Sequence, residues 1–241
     1  MADTEKRIRM LKGEIRKREL LDAAEKLFFS KGYAATTIND ILETQSCSKG
    51  SFYHHFDSKL QVLSALCAAH AGEAYKRYQA AAADLAGPLE QMDCLLYESL
   101  PVTPEEKDMC ALLIPLYALP EGEEVLSSLL KAQREVFFPE LCRLLELLKA
   151  QGQAFYPCAA LPAIVWDAHT GLYRRLLALG HDMMKDDGSS GQPAVQEALD
   201  AARYLFERTL SLPFGSVTII RSAVCSETLR RAAIEAKPPR G

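Results

Sequence analysis

Apolar residues recur three and four positions apart along nearly the whole chain, which is the spacing of the buried face of an α-helix. The first such stripe runs from Ile15 to Phe28. It ends at Lys31-Gly32, where glycine suits the left-handed residue that closes many helices. The pattern predicts an all-α protein.

Two short helices follow the first long one. Thr37 precedes the first of them, over 38–44, and Asp40 three residues later has the spacing of a weak capping box. Ser48 is the expected N-cap of the second, over 49–56. Two short helices joined by a tight four-residue turn predict a helix-turn-helix motif.

The second short helix has one apolar face and one polar face. At about 100° per residue, Phe52 and Phe56 lie close together and anchor the helix to the core. The opposite face and its flanks present small, hydroxyl and aromatic groups: Gly50, Ser51, Tyr53 and His54. Such a face can enter a major groove and hydrogen-bond to base edges and phosphates. A structural alternative stays open, because histidines beside a phenylalanine are often packing groups and a tyrosine can be half-buried.

After a long helix that starts at Lys59, amphipathic stretches fill the larger half of the chain. They cover 89–100, 105–119, 121–151, 159–181 and 192–212. The chain beyond 212 differs, because 217–220 has an extended pattern and 226–237 has that of a short basic amphipathic helix. We predict three parts in chain order: an N-terminal basic arm and helix-turn-helix domain over 1–60, a larger helical domain over 61–212, and a tail over 213–241.

The charge is unevenly placed. The net charge of the 241-residue chain is −4, but residues 1–60 carry 11 Lys and Arg against 9 Asp and Glu. Between Lys6 and Arg18, seven basic residues stand against one acidic residue, Glu14. An acidic protein with a basic head is typical of a nucleic-acid binder with a local contact surface. A solvated helix start or a disordered tail would give the same run of charge.

Features that the sequence lacks exclude several classes of function. The seven cysteines form no C-x-x-C pair, which argues against a disulfide framework and a zinc site. The absence of a signal peptide and of a bilayer-spanning run predicts a cytoplasmic protein without a membrane partner. No nucleophile elbow, phosphate loop or H-E-x-x-H string occurs. We therefore expect no enzyme activity, no catalytic residues, no cofactor and no metal.

Three strings of fixed residues carry a specific resemblance. They are L-x-A-A-x-x-L-F over 21–28, G-Y-x-x-T-T over 32–37 and S-K-G-x-x-Y-x-H-F-x-S-K over 48–59. Together they resemble the N-terminal DNA-binding domain of the TetR family of bacterial transcriptional regulators. Several independent positions match within a short segment, so the signal is far stronger than one short motif. The resemblance covers roughly a fifth of the chain.

The resemblance implies roles for individual residues. Base edges would be approached by the residues that open the recognition helix: Ser48, Lys49, Gly50 and Ser51. Phosphates would be bound by residues of three elements: Thr37, Tyr53, His55 and Lys59. Asn39 and His54 would reach either a phosphate or a base edge.

Two positions depart from the family pattern. The turn reads Gln45-Ser46-Cys47 where such proteins usually have Ala-Gly-Val, so its usual glycine is missing. Leu42 replaces a small residue where the two short helices pack. Both departures weaken inference about the operator sequence. The basic stretch before Arg16 exceeds what the fold requires, and we interpret it as an arm for the minor groove or the phosphate backbone.

The resemblance also implies a homodimer, because one recognition helix contacts too little DNA for selectivity. Two copies about 34–36 Å apart would read a near-palindromic double-stranded operator. The last two strong helices would form the interface through one stripe: Trp166, Leu172, Leu176, Leu179, Ala198, Ala202, Leu205 and Leu210. For any one of these residues, burial within its own chain is at least as good an explanation.

The larger domain would bind a small, largely apolar effector. Its cavity could be lined by sulfur-containing, aromatic and polar-tipped residues: Met92, Leu96, Met109, Leu113, Tyr117, Phe137, Trp166, His169 and Tyr173. Plain core packing explains the same residues. The predicted function is a DNA-binding transcriptional repressor that its effector releases from the operator. A helical adaptor that has lost DNA binding is the alternative, and the intact Thr37, Lys49, Tyr53 and Lys59 argue against it.

Overall fold

The computed structural model describes residues 2–185, 191–218 and 222–236, with the backbone alone for residues 2–6, 8–10, 222 and 223. The regular structure of these residues is entirely helical, which confirms the all-α prediction. The chain divides into two compact units, Met1–Cys67 (unit 1) and Ala68–Gly241 (unit 2).

Unit 1 contains α1 (Ala2–Lys31), α2 (Ile38–Thr44), α3 (Lys49–Tyr53) and the start of α4 (Lys59–Ala82). The bounds of α2 agree with the predicted 38–44, but α3 ends three residues before the predicted 56. After Tyr53 the backbone forms a tighter turn, in which the His55 N–H donates to the Phe52 carbonyl, three residues back, at 2.8 Å. The turn that follows leads into α4.

The core of unit 1 lies between α1, α2, α3 and the first turns of α4. Its buried side chains are Leu20, Ala23, Ala24, Phe28, Ile41, Leu42, Phe52, Phe56, Val62 and Leu63. The Phe52 and Phe56 rings lie 5.9 Å apart between centroids, as the face analysis of this helix predicts. Along the described side chains of α1 the first buried residue is Leu20, while Leu11 and Ile15 are exposed.

Two turn residues of unit 1 have left-handed backbone. Gly32, after α1, has φ +85° and its N–H donates to the Phe28 carbonyl at 3.0 Å, which is the predicted glycine cap. Ser46, in the turn between α2 and α3, has φ +47°. The family pattern has glycine at this position, and the side chain of Ser46 disfavours the left-handed backbone that the turn adopts.

We expect Ser46→Gly to raise the free energy of unfolding by about 0.5–1 kcal/mol, since glycine has no Cβ to clash in the left-handed region. Chemical denaturation followed by circular dichroism measures the change. Ser30→Gly is the matched control, because Ser30 lies in the last turn of α1 with ordinary helical backbone. The control should lower stability by about 0.5–1 kcal/mol, and a similar loss in Ser46→Gly would contradict the prediction.

Unit 2 continues α4 and adds a bundle of packed helices. They are α5 (Pro88–Glu98), α6 (Lys107–Leu116), α7 (Gly122–Ala150), α8 (Leu161–Met183), α9 (Gln192–Thr209) and α10 (Ser222–Glu235), with a 3₁₀ turn over Pro104–Glu106. The helix pairs α5–α7, α8–α9 and α6–α10 pack together. No helix in the described part of the chain is long and apolar enough to cross a membrane.

The C-terminal segment contributes to unit 2. Its helix α10 begins four residues before the predicted 226 and packs on α6, α8 and α9. Its Leu229, Ala232 and Ala233 are buried. Part of the predicted extended stretch 217–220 and the chain after 236 lie outside the described residues.

Candidate nucleic-acid interface

A complete capping box begins α2. The Thr37 hydroxyl oxygen accepts a hydrogen bond from the Asp40 N–H at 3.1 Å, and the Asp40 carboxylate accepts from the Thr37 N–H at 2.7 Å. The Lys31 ammonium, 2.8 Å from the same carboxylate, and the Thr37 N–H lower the pKa of Asp40 to about 2. Because this pKa is below that of an unfolded aspartate, the cap stabilises α2 at neutral pH and loses this effect only as the pH falls towards 2.

The predicted phosphate contact of Thr37 requires a local change. Its hydroxyl also donates to the Asp40 carboxylate at 2.9 Å, so it must turn away from Asp40 before it can donate to a phosphate. The side chain of Asn39, in the first turn of α2, is exposed and forms no hydrogen bond with another described residue. Its amide is available to a nucleic acid as the structure stands.

The Lys59 ammonium is engaged by unit 1 itself. It donates to the carbonyls of Tyr33 and Thr36 at 2.8 and 2.9 Å and lies 4.1 Å from the centroid of the Tyr33 ring. These bonds hold the loop that leads to Thr37. Lys59 therefore positions the start of α2, and its predicted contact with a phosphate stays a prediction.

The recognition helix α3 is capped and presents its first turn to solvent. The Ser48 hydroxyl accepts from the Ser51 N–H at 3.2 Å, as predicted for an N-cap. Lys49 and Gly50 are exposed, and the nearest atom to a Cβ built on Gly50 is the Ser48 hydroxyl oxygen at 3.9 Å. The Tyr53 side chain is 53% exposed. Neither Lys49 nor Tyr53 forms a side-chain hydrogen bond or ion pair within the described part of the chain.

The two histidines after α3 differ in their surroundings. His54 is exposed, and its ring lies 4.9 Å from that of His55 between centroids. His55 is half-buried beside Gly13 of α1, whose ideal Cβ position lies 3.9 Å from the His55 Cε1. Burial, together with the positive charge of His54 and Lys17, lowers the pKa of His55. His55 is thus partly a packing group, as the structural alternative states, whereas Tyr53 and His54 face solvent.

The predicted effector residues all lie in unit 2, and eight of the nine are buried. Tyr117 is the exception. It is 45% exposed and its ring lies 6.3 Å from that of His181 between centroids, so it does not lie with the interior residues. His169 is fully enclosed, with Nε2 2.8 Å from the Ser99 hydroxyl. Burial lowers the pKa of His169 to about 3, and its Nδ1 has no hydrogen-bond partner among the described residues.

A partly buried ionic cluster in unit 2 was not predicted from the sequence. Glu106 accepts from His70 Nδ1 at 2.9 Å and from Arg77 at 2.7 Å, and Arg77 also donates to Glu98 at 3.1 Å. Burial raises the pKa of Glu106, but the bonds from His70 and Arg77 outweigh it, so the net pKa lies below its usual value. A cavity of about 10 Å³ adjoins the cluster, and the predicted Met109 lines it.

The members of the cluster share no sequence signal, since Arg77 and Glu106 each stand beside other charged residues. The cluster joins residues about 30 positions apart, so no local spacing predicts the pairing. Among the residues described, no group of three or more His, Cys, Asp or Glu side chains is placed to hold a metal ion.

The outer surface of α8 and α9 carries a shallow groove of about 480 Å³. It is lined mostly by small residues at helical spacing: Ala168, Gly171, Leu172, Arg175, Ala194, Glu197, Ala198, Ala201, Ala202 and Leu205. Three large apolar side chains of these helices are exposed: Ile164, Tyr204 and Leu205. Several residues of the predicted interface stripe are instead buried within the chain: Trp166, Leu176, Leu179 and Leu210.

The geometry of unit 1 defines a class of protein. Two short helices with a tight turn, a capped second helix and an exposed first turn form a helix-turn-helix domain of the DNA-binding type. Residues 20–66 match the family model described as bacterial regulatory proteins, tetR family. The N-terminal domain therefore has the signature of this family, and the match covers about a fifth of the chain.

Two curated relatives of the chain are also transcriptional regulators. The chain is 32% identical to the helix-turn-helix transcriptional regulator YerO of Bacillus subtilis over 112 residues. The aligned segment is 46% of this chain and 39% of the relative. The chain is 34% identical over 88 residues to the transcriptional repressor KstR2 of Rhodococcus jostii, 35% of this chain and 43% of the relative. The chain thus spans less than half the length of these curated relatives.

The fold of the whole chain has solved counterparts. A TetR-family regulator from Pectobacterium atrosepticum superposes with a TM-score of 0.56 at 21% identity, over 84% of this chain and 98% of that one. FadR from Bacillus subtilis, solved in complex with stearoyl-CoA, superposes with a TM-score of 0.53 at 13% identity, over 85% and 99%. At these identities the likeness concerns the fold alone.

Proposed function

We propose that this chain is a transcriptional repressor that binds a near-palindromic operator as a homodimer and leaves it when a small, largely apolar effector binds. The observation that carries the proposal is the recognition helix. Buried Phe52 holds α3 in the core, while Lys49, Gly50 and Tyr53 face solvent, and the side chains of Lys49 and Tyr53 form no hydrogen bond or ion pair in the described chain. Solvent-facing groups of this kind hydrogen-bond to phosphates and base edges in a major groove.

The groove on α8 and α9 supports the homodimer. Ile164, Ala168, Gly171 and Arg175 occupy one stripe of α8, and small residues let a second pair of helices approach closely. Exposed Leu205 supplies apolar area, and Arg175 and Glu197 give the surface charges of both signs. A two-fold axis through such a patch brings the same residues together from both subunits.

Release by an effector is supported by the interior of unit 2. Its buried aromatic and sulfur-containing side chains surround a few polar groups, and His169 keeps one ring nitrogen unpaired within the described residues. The relative KstR2 is a transcriptional repressor, and FadR was solved in complex with stearoyl-CoA, a molecule with an apolar acyl chain. An effector would act through different affinities for two spacings of the paired recognition helices.

The proposal is tested by duplex binding in a salt series. We expect the wild-type chain to bind fragments of its own genome with an affinity that falls steeply as salt rises. Tyr53→Phe should weaken binding about 3- to 10-fold, because it removes one hydrogen bond to a phosphate, without changing the salt dependence. Gel shift or fluorescence anisotropy measures both quantities.

Tyr117→Phe is the matched control, since it removes a hydroxyl from another exposed tyrosine, in unit 2. It should bind like the wild type. Wild-type protein that binds no duplex at low salt would favour the helical adaptor. Equal affinity of Tyr53→Phe and the wild type would count against the assigned recognition face.

A further inference from the structure

The helix α1 continues well beyond the core of unit 1. Residues 2–19 precede Leu20, the first buried residue among the described side chains of α1, and at about 1.5 Å per residue they form about 27 Å of helix. This extension passes beside the end of the recognition helix. Gly13 lies against His55, and the Lys17 ammonium lies 6.0 Å from the centroid of the Phe56 ring.

The basic residues of the extension are not spread evenly around the helix. At about 100° per residue, positions 6, 9, 16 and 17 all lie within about 60° of the direction of Gly13. All four positions are Lys or Arg. We call this set the α1 basic stripe. It lies on the face of α1 that meets His55, so it continues the surface of α3 along α1.

Two residues of the stripe, Arg16 and Lys17, have described side chains, and both charges are available to an anion. Arg16 is paired with Glu19 at 2.8 Å, but both side chains are more than two-fifths exposed, and exposed pairs of this kind contribute little. Glu14 is the one acidic residue between Lys6 and Arg18. The positive field at the end of α3 also shows at His55, where Lys17 adds to the effect of burial in lowering the pKa.

The helical form of the extension decides which part of DNA it fits. An α-helix with side chains is about 10–12 Å across, whereas the minor groove of B-DNA is about 6 Å wide. An extended arm enters that groove, but a helix of this width does not. Of the two interpretations of the basic stretch, the structure therefore favours the phosphate backbone.

We propose that the α1 basic stripe is a second DNA-binding surface, which binds phosphates beside the site that α3 occupies. The inference rests on the proposed DNA binding. The stripe contributes affinity without sequence selectivity, because phosphates are the same in every sequence. It extends the footprint of each subunit beyond the half-site that its recognition helix reads.

The test is the salt dependence of binding to a random-sequence duplex, measured by anisotropy between about 50 and 200 mM salt. Each phosphate contact contributes about 0.9 to the slope of log affinity against log salt. Lys6→Ala/Arg9→Ala should reduce the magnitude of the slope by about 1.8 per subunit. Arg16→Gln/Lys17→Gln should do the same, with circular dichroism to confirm that unit 1 is folded.

The matched control is Arg18→Ala/Lys26→Ala, which removes two exposed cations at least about 120° from Gly13 on the same helix. It should leave the slope unchanged. An unchanged slope in both stripe variants, or an equal reduction in the control, would overturn the proposal. If those results occur while Tyr53→Phe still weakens binding, the second surface fails and the proposed function stands. If the wild type itself binds no duplex, the proposed function fails with it.

Discussion

The variant Gly50→Glu is expected to fold like the wild type and to bind operator DNA at least about 100-fold more weakly. A Cβ at Gly50 meets only the Ser48 hydroxyl oxygen, at 3.9 Å, and the site is exposed. Glutamate is also a better helix former than glycine, so the fold loses nothing. On DNA, the same side chain places a carboxylate against the phosphates and fills space that α3 needs in the groove.

Two further variants separate the steric and the electrostatic causes of the lost affinity. Gly50→Gln adds the same volume without the charge, so its smaller loss measures the steric part. Gly72→Glu makes the same change in α4 at a position where a Cβ meets nothing within 4 Å, and it should bind like the wild type. Thermal unfolding and gel shift on one preparation of each protein provide both readouts. Full operator affinity in Gly50→Glu would show that the first turn of α3 faces away from DNA.

Local signals predicted unit 1 well. Thr37 and Asp40 fixed the start of α2, and Gly32 fixed the end of α1, because a cap depends on residues within one turn. The end of α3 could not be predicted from capping residues. It depends on how the chain bends between Phe52 and α4, and the residues 54–56 have no breaker.

The structure of the α1 extension could be predicted from the sequence only in part. Its composition predicted a basic segment but left helix, arm and tail open, because the residues before Ile15 have no clear apolar stripe. Only the helical backbone decides on which face of α1 each basic residue lies, and composition does not give this. Positions 6, 9, 16 and 17 share a face only once the segment is helical.

Unit 2 shows why an apolar stripe on a helix does not indicate whether the same chain or a second subunit covers it. The stripe through Trp166, Leu176 and Leu210 has the spacing of a packing face, and the structure buries these residues in the chain itself. Sequence periodicity gives the buried face of a helix but not the chain that covers it. The ionic cluster could not be predicted for a similar reason, since α4 supplies His70 and Arg77 while the 3₁₀ turn supplies Glu106.

The groove on α8 and α9 is the surface that we propose for a second subunit, and the second large effect is expected from changing it. We expect Ala201→Glu/Leu205→Glu to convert the dimer to a monomer, because both residues line the groove and each new carboxylate would lose its water there. A monomer reads one half-site. Operator affinity should therefore fall to that of non-specific binding, about 10³-fold or more.

The control for this pair is Gln192→Glu/Gln196→Glu, which adds two carboxylates to faces of α9 more than about 120° from Ala201. It should stay dimeric in light scattering and keep its operator affinity. A groove variant that stays dimeric would place the interface elsewhere. A groove variant that is monomeric and still binds the operator tightly would contradict the requirement for two recognition helices, since one α3 would then suffice for selectivity.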